Sequence, residues 1–555
     1  NMNHQNTLTI DKQTGSVTTL SETVKYQTDP LAIFHQLSQN SDNNLLLESA
    51  EIDKKHQLKS LLLTDAALKI TCHGNLVTFE ALTNNGQSAL EFAQQHLAEH
   101  ATLSVKDKTL SAIFPELTQQ LDEKSRLLAI NPFQSLRLFN KLKNSNNHPF
   151  AIFLGGVFAF DMMSMTEQLP TVSQGDNTCP DFVYYLAETV VVIDHEAQST
   201  EVIGNIFSGE AANHNLVTIR QRLADIKNIL AQQYIAQERP YDKPIEKSEV
   251  SSDISDQQFC DTVNQLKENI RAGDIFQVVP SRTFTLKCSN TLNAYKALKQ
   301  SNPSPYMFYL KDSEFCIFGA SPESALKYQH KNRQVEIYPI AGTRPRGLNK
   351  DGSISLDLDS RIELELRLDK KELAEHTMLV DLARNDIARV SQAGTRYVAD
   401  LLKVDRYSHV MHLVSRVCGT LALDLDALHA YQACMNMGTL SGAPKVKATQ
   451  LIREVEGKRR GSYGGAVGYL TGDGEMDTCI VIRSAFVKHG IAHVQAGAGV
   501  VYDSDPQSEA NETKQKAQAV INAIQHAELF TVEITAAPSS DSANLNNPCK
   551  ESNHA

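Results

Sequence analysis

Tryptophan is absent from the 555 residues, and the nine cysteines include no CxxC pair. An odd count without that spacing argues against a zinc ribbon or a disulfide framework, and predicts free thiols in a reducing compartment. No apolar run approaches the about 20 residues of a membrane-spanning helix. The start, NMNHQNTLTI, has no charged segment leading into an apolar one of the kind that directs secretion. A soluble, cytoplasmic protein is the expectation. Basic residues are the minority, 53 Lys and Arg against 65 Asp and Glu for a net charge of −12. That argues against a nucleic-acid surface, which needs clustered cations to neutralise phosphates. The one dense basic run, Lys458-Arg459-Arg460, reads as a solvated loop. Nucleotide loops are missing too. No GK[ST] follows Gly438–Gly442, and Gln495–Tyr502 lacks the third glycine and the following helix of a dinucleotide fingerprint. Small residues in these stretches still permit close backbone approach to a ligand, or a cup of N–H groups for an anion.

What is present is an ordinary globular composition, 41% hydrophobic and 21% charged, long enough for a large core and two or more units. Residues 45–52 (LLLESAEI) read as a buried strand, and residues 61–72 and 77–79 as a hairpin about His73-Gly74-Asn75. Helical periodicity marks 87–100, 116–128 and 215–233. Between Gln232 and Asp256 the composition turns polar and proline-bearing, so a linker is placed at 241–255. It separates an N-terminal domain (1–240) from a second domain (256–530), and a disordered tail is expected over 537–555. Ser255 and Gln258 form a capping box for the next helix. Hairpin-joined strands interrupted by helices at 291–300, 357–392, 425–436 and 506–528 predict an α+β fold of antiparallel sheets, sandwich-like, with helices outside.

The stretch with most chemical promise is DKKELAEHTMLVDLARND, residues 369–386. Asp369 with Glu372 reads as a capping box, which leaves Glu375 one turn further on nearly the same side. A second isolated acid, Glu512, follows Asp505-Pro506 at a helix start, with Lys516 one turn beyond and Glu509 before it. Two carboxylates from separate helices suit a hard divalent cation, whereas no His/Cys spacing suits zinc. Each acid taken alone is more often a solvated helix residue or an i,i+4 ion pair. PIAGTRPRG (residues 339–347) is a strand running into a turn, with arginines able to meet carboxylates. His412 shares a strand face with Val410 and Val414. It is either packed and hydrogen-bonded or a general acid/base.

From about Ser255 to Ile524 the chain resembles the chorismate-utilising enzymes. The resemblance is carried by PIAGTRPRG, ELAEHTMLVDLARND, MHLVSRV, GTLSGAPKVKA, GSYGGAVGY, IRSAFV and QAGAGVVYDSDPQSEANET. LLLESAEI and NPSPYMFY (residues 302–309) extend it to the branch formed by the large subunits of anthranilate synthases. The resemblance implies Mg²⁺ on Glu375 and Glu512, with Glu372 contributing at one remove. It implies chorismate contacts at Gly342, Thr343, Tyr463, Arg483, Gly497, Ala498, Gly499 and Lys516. Glu323 is implied as the acid assisting departure of the ring hydroxyl, with His412 linked to the elimination and Thr439 lining the same site. Ser49, Pro305, Tyr306 and Met307 resemble a tryptophan feedback pocket. Ala341 stands where relatives making the 4-amino isomer carry lysine, and Gln277 where isochorismate-forming relatives carry a lysine base. Both disfavour those relatives. No cysteine lies in a Gly-x-Cys-x-Gly elbow, so the resemblance implies a separate glutaminase subunit supplying ammonia, in a heterodimer or heterotetramer.

Overall fold

The computed structural model describes residues 8–50, 58–117, 121–242 and 246–537. Its frame begins with Lys59–His73, which pairs along nearly its whole length with Phe182–Asp194. Leucines 61–63, Leu68 and Ile70 are buried there. Gly74, at φ 60, turns the strand into its hairpin partner Leu76–Ala81, as the His-Gly-Asn turn predicts. Asn44–Glu48 is inserted between Leu61–Leu63 on one side and Met307–Lys311 on the other. Phe153–Phe158 pairs with Phe182–Leu186 and, across its other edge, with Ala466–Thr471. Gly156 and Gly468 face one another in that second pair. A Cβ on Gly156 would stand 2.1 Å from the Val183 carbonyl oxygen, so only glycine lets these strands close.

Those pairings cross the proposed boundary at 241–255. Strands from both halves belong to one hydrogen-bonded network of 23 strands. The apolar residues between its layers come from both halves: Leu45, Leu63, Val157, Val183 and Tyr185 pack with Phe308, Leu310, Val467 and Phe486. The outer faces are covered by helices. Asn84–Leu97, Lys370–Val390 and Ala427–Cys434 pack on one core. Ala212–Ile229, Thr291–Ser301 and Pro506–Leu529 pack on another. This is the α+β sandwich with external helices that the hydrophobic pattern predicts.

Several elements depart from expectation. Gln233–Pro240, at the edge of the compositional linker, is a strand paired residue by residue with Phe530–Ala537. The ribbon is half-exposed on its polar side chains, which hides it from a hydrophobicity reading. The expected tail lies outside the described residues apart from Ala537. The segment 116–128 contains only the short helix Glu123–Leu128, with 118–120 outside the described residues. The expected helix over 357–392 is two, Leu356–Leu368 and Lys370–Val390, broken at Asp369 (φ −68, ψ 111). Asp369 caps the second helix by accepting from the N–H groups of Lys371 and Glu372. There is no reciprocal bond from Glu372, so the predicted capping box is a simple cap. The Ser255–Gln258 box is complete. Eight cysteines among the described residues are free, buried thiols. No helix among them is long and apolar enough to cross a membrane.

Candidate active site

The buried acid Glu323 lies between the strands Cys316–Ser321 and Ser324–Gln329. Its backbone is fixed from both sides: Ile480 N–H donates to its carbonyl at 3.0 Å, and its own N–H donates to Ser321 Oγ at 3.3 Å. Thr439 Oγ1 donates to its carboxylate at 3.2 Å. Burial pushes the Glu323 carboxyl up to about 8, against smaller opposing effects of Thr439, Arg483 and Lys516. It therefore holds a proton at neutral pH, as a general acid must. The same two side chains line a cavity with Pro339, Leu379, Ala383 and Asp386.

Opposite this acid stand cationic and neutral polar groups. Arg483 is in the left-handed region at φ 47, unusual for a non-glycine residue, in the turn between Met476–Ile480 and Ser484–Lys488. Among the described residues its guanidinium has no hydrogen-bond or ion-pair partner. Burial lowers its pKa, and the nearby Glu323 works the other way. His412 pairs with Thr343 in the strand register, and Thr343 Oγ1 lies 2.9 Å from its Nδ1. Burial, with Arg483 adding to it, pulls the imidazole down to about 3, so it is neutral near pH 7. That favours the hydrogen-bonding alternative over proton exchange near neutrality. Lys516 Nζ donates to the Gly497 carbonyl at 3.0 Å and pairs with Glu512 at 3.2 Å, the i,i+4 geometry. Tyr463 is buried, and a Cβ on Gly497 would meet its hydroxyl at 2.9 Å. The Ala498 methyl belongs to the core with Val278 and Val500, so only its backbone can serve a ligand.

The acids converge from two helices. Glu375 accepts from Gln277 Nε2 at 3.0 Å, and a Cβ on Gly499 would stand 2.5 Å from Glu375 Oε1. Its carboxyl is pushed up to about 7, first by burial and then by the like charges of Glu372 and Glu512. Glu375 and Glu512 thus share one neighbourhood. Glu509, one turn before Glu512, is buried, pairs with Lys371 at 3.3 Å, and leaves its Oε2 without a partner. Burial and Glu512 push it up to about 7 as well. Glu372 turns to Arg344 Nη1 at 3.4 Å, which also holds Asp369 at 2.9 Å through Nη2. Among the described residues no three His, Cys, Asp or Glu side chains form a ready ligand set, so the trio Glu375, Glu512 and Glu372 is not assembled as one cage. The donor chemistry nevertheless fits a hard divalent ion. The donors are oxygens, the carboxylates repel one another, and the buried Glu509 Oε2 and Gln277 Oε1 are without hydrogen-bond partners.

The KRR run is no solvated loop. Arg460 is 2% exposed and joins the segments around the site. It donates to both oxygens of Glu456, to the Leu440 carbonyl beside Thr439, and to the Val279 carbonyl. Its guanidinium lies over the rings of Phe160 and Tyr463, 4.5 and 5.3 Å from their centroids. Arg459 pairs with Asp181 at 2.6 Å and Lys458 with Asp253 at 2.9 Å. Only Glu456 and Tyr463 are near Arg460 in sequence; the Val279 and Leu440 carbonyls, the Phe160 ring, Asp181 and Asp253 come from distant segments that the run itself does not reveal.

The proposed regulatory residues also meet. Glu48 pairs with Met307 in the sheet register, and Ala50 N–H donates to the Ser304 carbonyl at 3.2 Å. This sets Ser49 beside Pro305, Tyr306 and Met307. Tyr306 OH donates to Asp477 at 3.3 Å, and Tyr306 is the register partner of Ser321, which contacts the Glu323 backbone.

Comparison with known proteins agrees with this geometry. The chorismate binding enzyme family matches residues 87–522, and the chain belongs to that family. It is 57% identical to anthranilate synthase component 1 of Vibrio cholerae, over 93% of this chain and 98% of that protein. Identity to the Escherichia coli protein of the same name is 54%, over 90% and 95%. Anthranilate synthase component I of Streptococcus pneumoniae superposes with a TM-score of 0.62 at 28% identity, covering 85% of this chain and 93% of that one. The Escherichia coli menaquinone-specific isochorismate synthase gives 0.63 at 17% identity, over 93% and 96%, a likeness of fold alone.

Proposed function

We propose that this chain is the synthase subunit of an anthranilate synthase. It would convert chorismate and ammonia to anthranilate, pyruvate and water, in the first committed step of tryptophan biosynthesis. The observation that carries the reading is Arg483. A guanidinium with no protein acceptor, facing an acid that keeps its proton, is suited to an anionic substrate with a poor leaving group. Chorismate carries two carboxylates and a ring hydroxyl. Arg483 and Lys516 bind the carboxylates. Lys516 exchanges its contact with Glu512 for one with substrate, and Tyr463 and the Gly497–Gly499 backbone shape the pocket wall. Glu323 gives its proton to the C4 hydroxyl, which leaves as water while ammonia adds at C2. The C2 proton and the enolpyruvyl group then depart, giving pyruvate and an aromatic amine. His412, neutral and held by Thr343, orients the ring as a hydrogen-bonding partner.

Glu375 and Glu512 would hold Mg²⁺, with Glu372 and Glu509 nearby. The ion would supply electron withdrawal through the ring carboxylate. Ala341 offers no nucleophile for the 4-amino route. Gln277 is neutral and engaged with Glu375, so it is no base for water addition. Ammonia would come from a glutaminase subunit, as the "component 1" of the relatives' names suggests, and tryptophan would inhibit from the pocket at Ser49 and residues 305–307. The test is incubation of the purified chain with chorismate, ammonium and Mg²⁺. Fluorescent anthranilate with equimolar pyruvate is expected, and chorismate consumed to isochorismate or 4-amino-4-deoxychorismate would overturn the reading.

A further inference from the structure

Lys371 has no part in the chemistry above, yet its ammonium lies among the acids. Its Nζ is 3.3 Å from Glu509 Oε1, and its charge is felt by Glu375 and Glu512 as well. Two features make this more than a surface ion pair. Glu509 is 2% exposed and keeps one oxygen unpartnered, so the carboxylate end of the contact is fixed, while Lys371 is 54% exposed and free to swing into solvent. Lys371 also follows Asp369 in the first turn of the Lys370–Val390 helix, one turn before Glu375. The helix that brings a proposed ligand therefore brings a cation with it. The other ammonium present, Lys516, pairs with Glu512 at 3.2 Å and is also tied to the Gly497 carbonyl at 3.0 Å, and the proposed chemistry already uses it to bind substrate.

We propose that Lys371 is a tethered counter-cation that opposes the divalent ion at Glu375 and Glu512, holding intrinsic metal affinity down and relieving repulsion among Glu375, Glu509 and Glu512 when no ion is bound. The proposal rests on the metal reading above. A positive charge beside the acids that would hold the ion would raise the free energy of the bound state, and the partial exposure of Lys371 limits the effect through screening. Removing the charge while keeping the stem should therefore tighten metal binding. A Lys371 that merely braced the site would have the opposite effect, since its loss would weaken binding.

The experiment measures Mn²⁺ binding to the full chain without chorismate, by calorimetry and by the loss of the free Mn²⁺ paramagnetic signal. Wild type, Lys371→Met and Lys371→Arg are compared. Lys371→Met is expected to bind Mn²⁺ roughly three- to tenfold more tightly, with Lys371→Arg close to wild type. The melting temperature of Lys371→Met should be lower in chelator and rise further on adding Mg²⁺ than that of wild type, since binding to the folded state alone stabilises it. Equal or weaker Mn²⁺ binding by Lys371→Met overturns the proposal and leaves the metal reading intact. Absence of Mn²⁺ binding by wild type overturns both.

Discussion

Glu323 and Glu375 owe their chemistry to the same cause, burial that disfavours a charged carboxylate, but their tasks differ. Glu323 is pushed up to about 8, and its proposed role needs the proton on. Turnover should hold up to about pH 8 and fall as pH rises through that value. Glu323→Gln should lower kcat at least roughly a hundredfold with a small change in the KM for chorismate, a split that steady-state kinetics reads directly. Glu375 is pushed up to about 7, and its proposed role, on an ion, needs the proton off. Its folded-state pKa exceeds its unfolded one, so folding favours the protonated form. The penalty for ionising it in the fold appears above about 4.5 and is complete beyond about 7. In chelator, the melting temperature of Glu375→Gln relative to wild type should rise across that window and then level off. Its turnover with Mg²⁺ should be abolished, as should that of Glu512→Gln. Near-normal activity in both would remove the metal from the mechanism.

At the level of elements, the acidic helix is set by a break and a clamp. Asp369 ends one helix and caps the next, and Arg344 from the strand Ile340–Pro345 grips Asp369 and Glu372 together. Asp369→Ala should cost about 1 kcal/mol of stability, the ordinary value of an N-cap, and weaken Mn²⁺ binding because the turn bearing Glu375 loosens. Arg460 is the corresponding clamp on the other wall. Arg460→Met leaves the buried Glu456 carboxylate without its counter-ion, with only the Ser281 N–H and hydroxyl still donating to it, for a loss of about 3 kcal/mol. Arg460→Met combined with Glu456→Gln should recover much of that in a denaturation titration. The double variant should still show a raised KM for chorismate, because the guanidinium over Tyr463 and its bond to the Leu440 carbonyl are lost.

Across the whole molecule, the two halves of the sequence are one folding unit. The insertion of Asn44–Glu48 between its neighbours and the pairing of Phe153–Phe158 with Ala466–Thr471 mean that neither half closes its sheet alone. Calorimetry on the full chain should give one unfolding transition, and residues 256–555 expressed alone should not unfold cooperatively. The same sharing sets the proposed tryptophan pocket close to Glu323. Ser49 comes from one half and Tyr306 from the other, and Tyr306 faces Ser321, two residues before Glu323. Ser49→Phe is expected to relieve tryptophan inhibition while leaving uninhibited turnover near wild type. Unchanged inhibition would place the regulatory site elsewhere.

Local patterns determined a good deal by themselves. The His-Gly-Asn hairpin, the Ser255–Gln258 box, the cap at Asp369 and the helix from Pro506 all depend on neighbours within a few residues, and all were legible. So were Glu375, Glu512, Glu323 and His412 as candidates, since ordered motifs keep their spacing along the chain. Tertiary structure alone decided the rest. The ribbon at Gln233–Pro240 needs a partner almost 300 residues away and offers the core only Tyr234 and Ala236, too short an apolar face to betray it. Arg460 is buried because the Val279 carbonyl, the Leu440 carbonyl and the Phe160 ring arrive from three separate segments to join its near neighbours Glu456 and Tyr463. Glu372 meets Arg344 and Lys371 meets Glu509 for the same reason. A charged side chain's sequence neighbours say where it starts, but its energy is set by whatever the fold brings within a few ångströms.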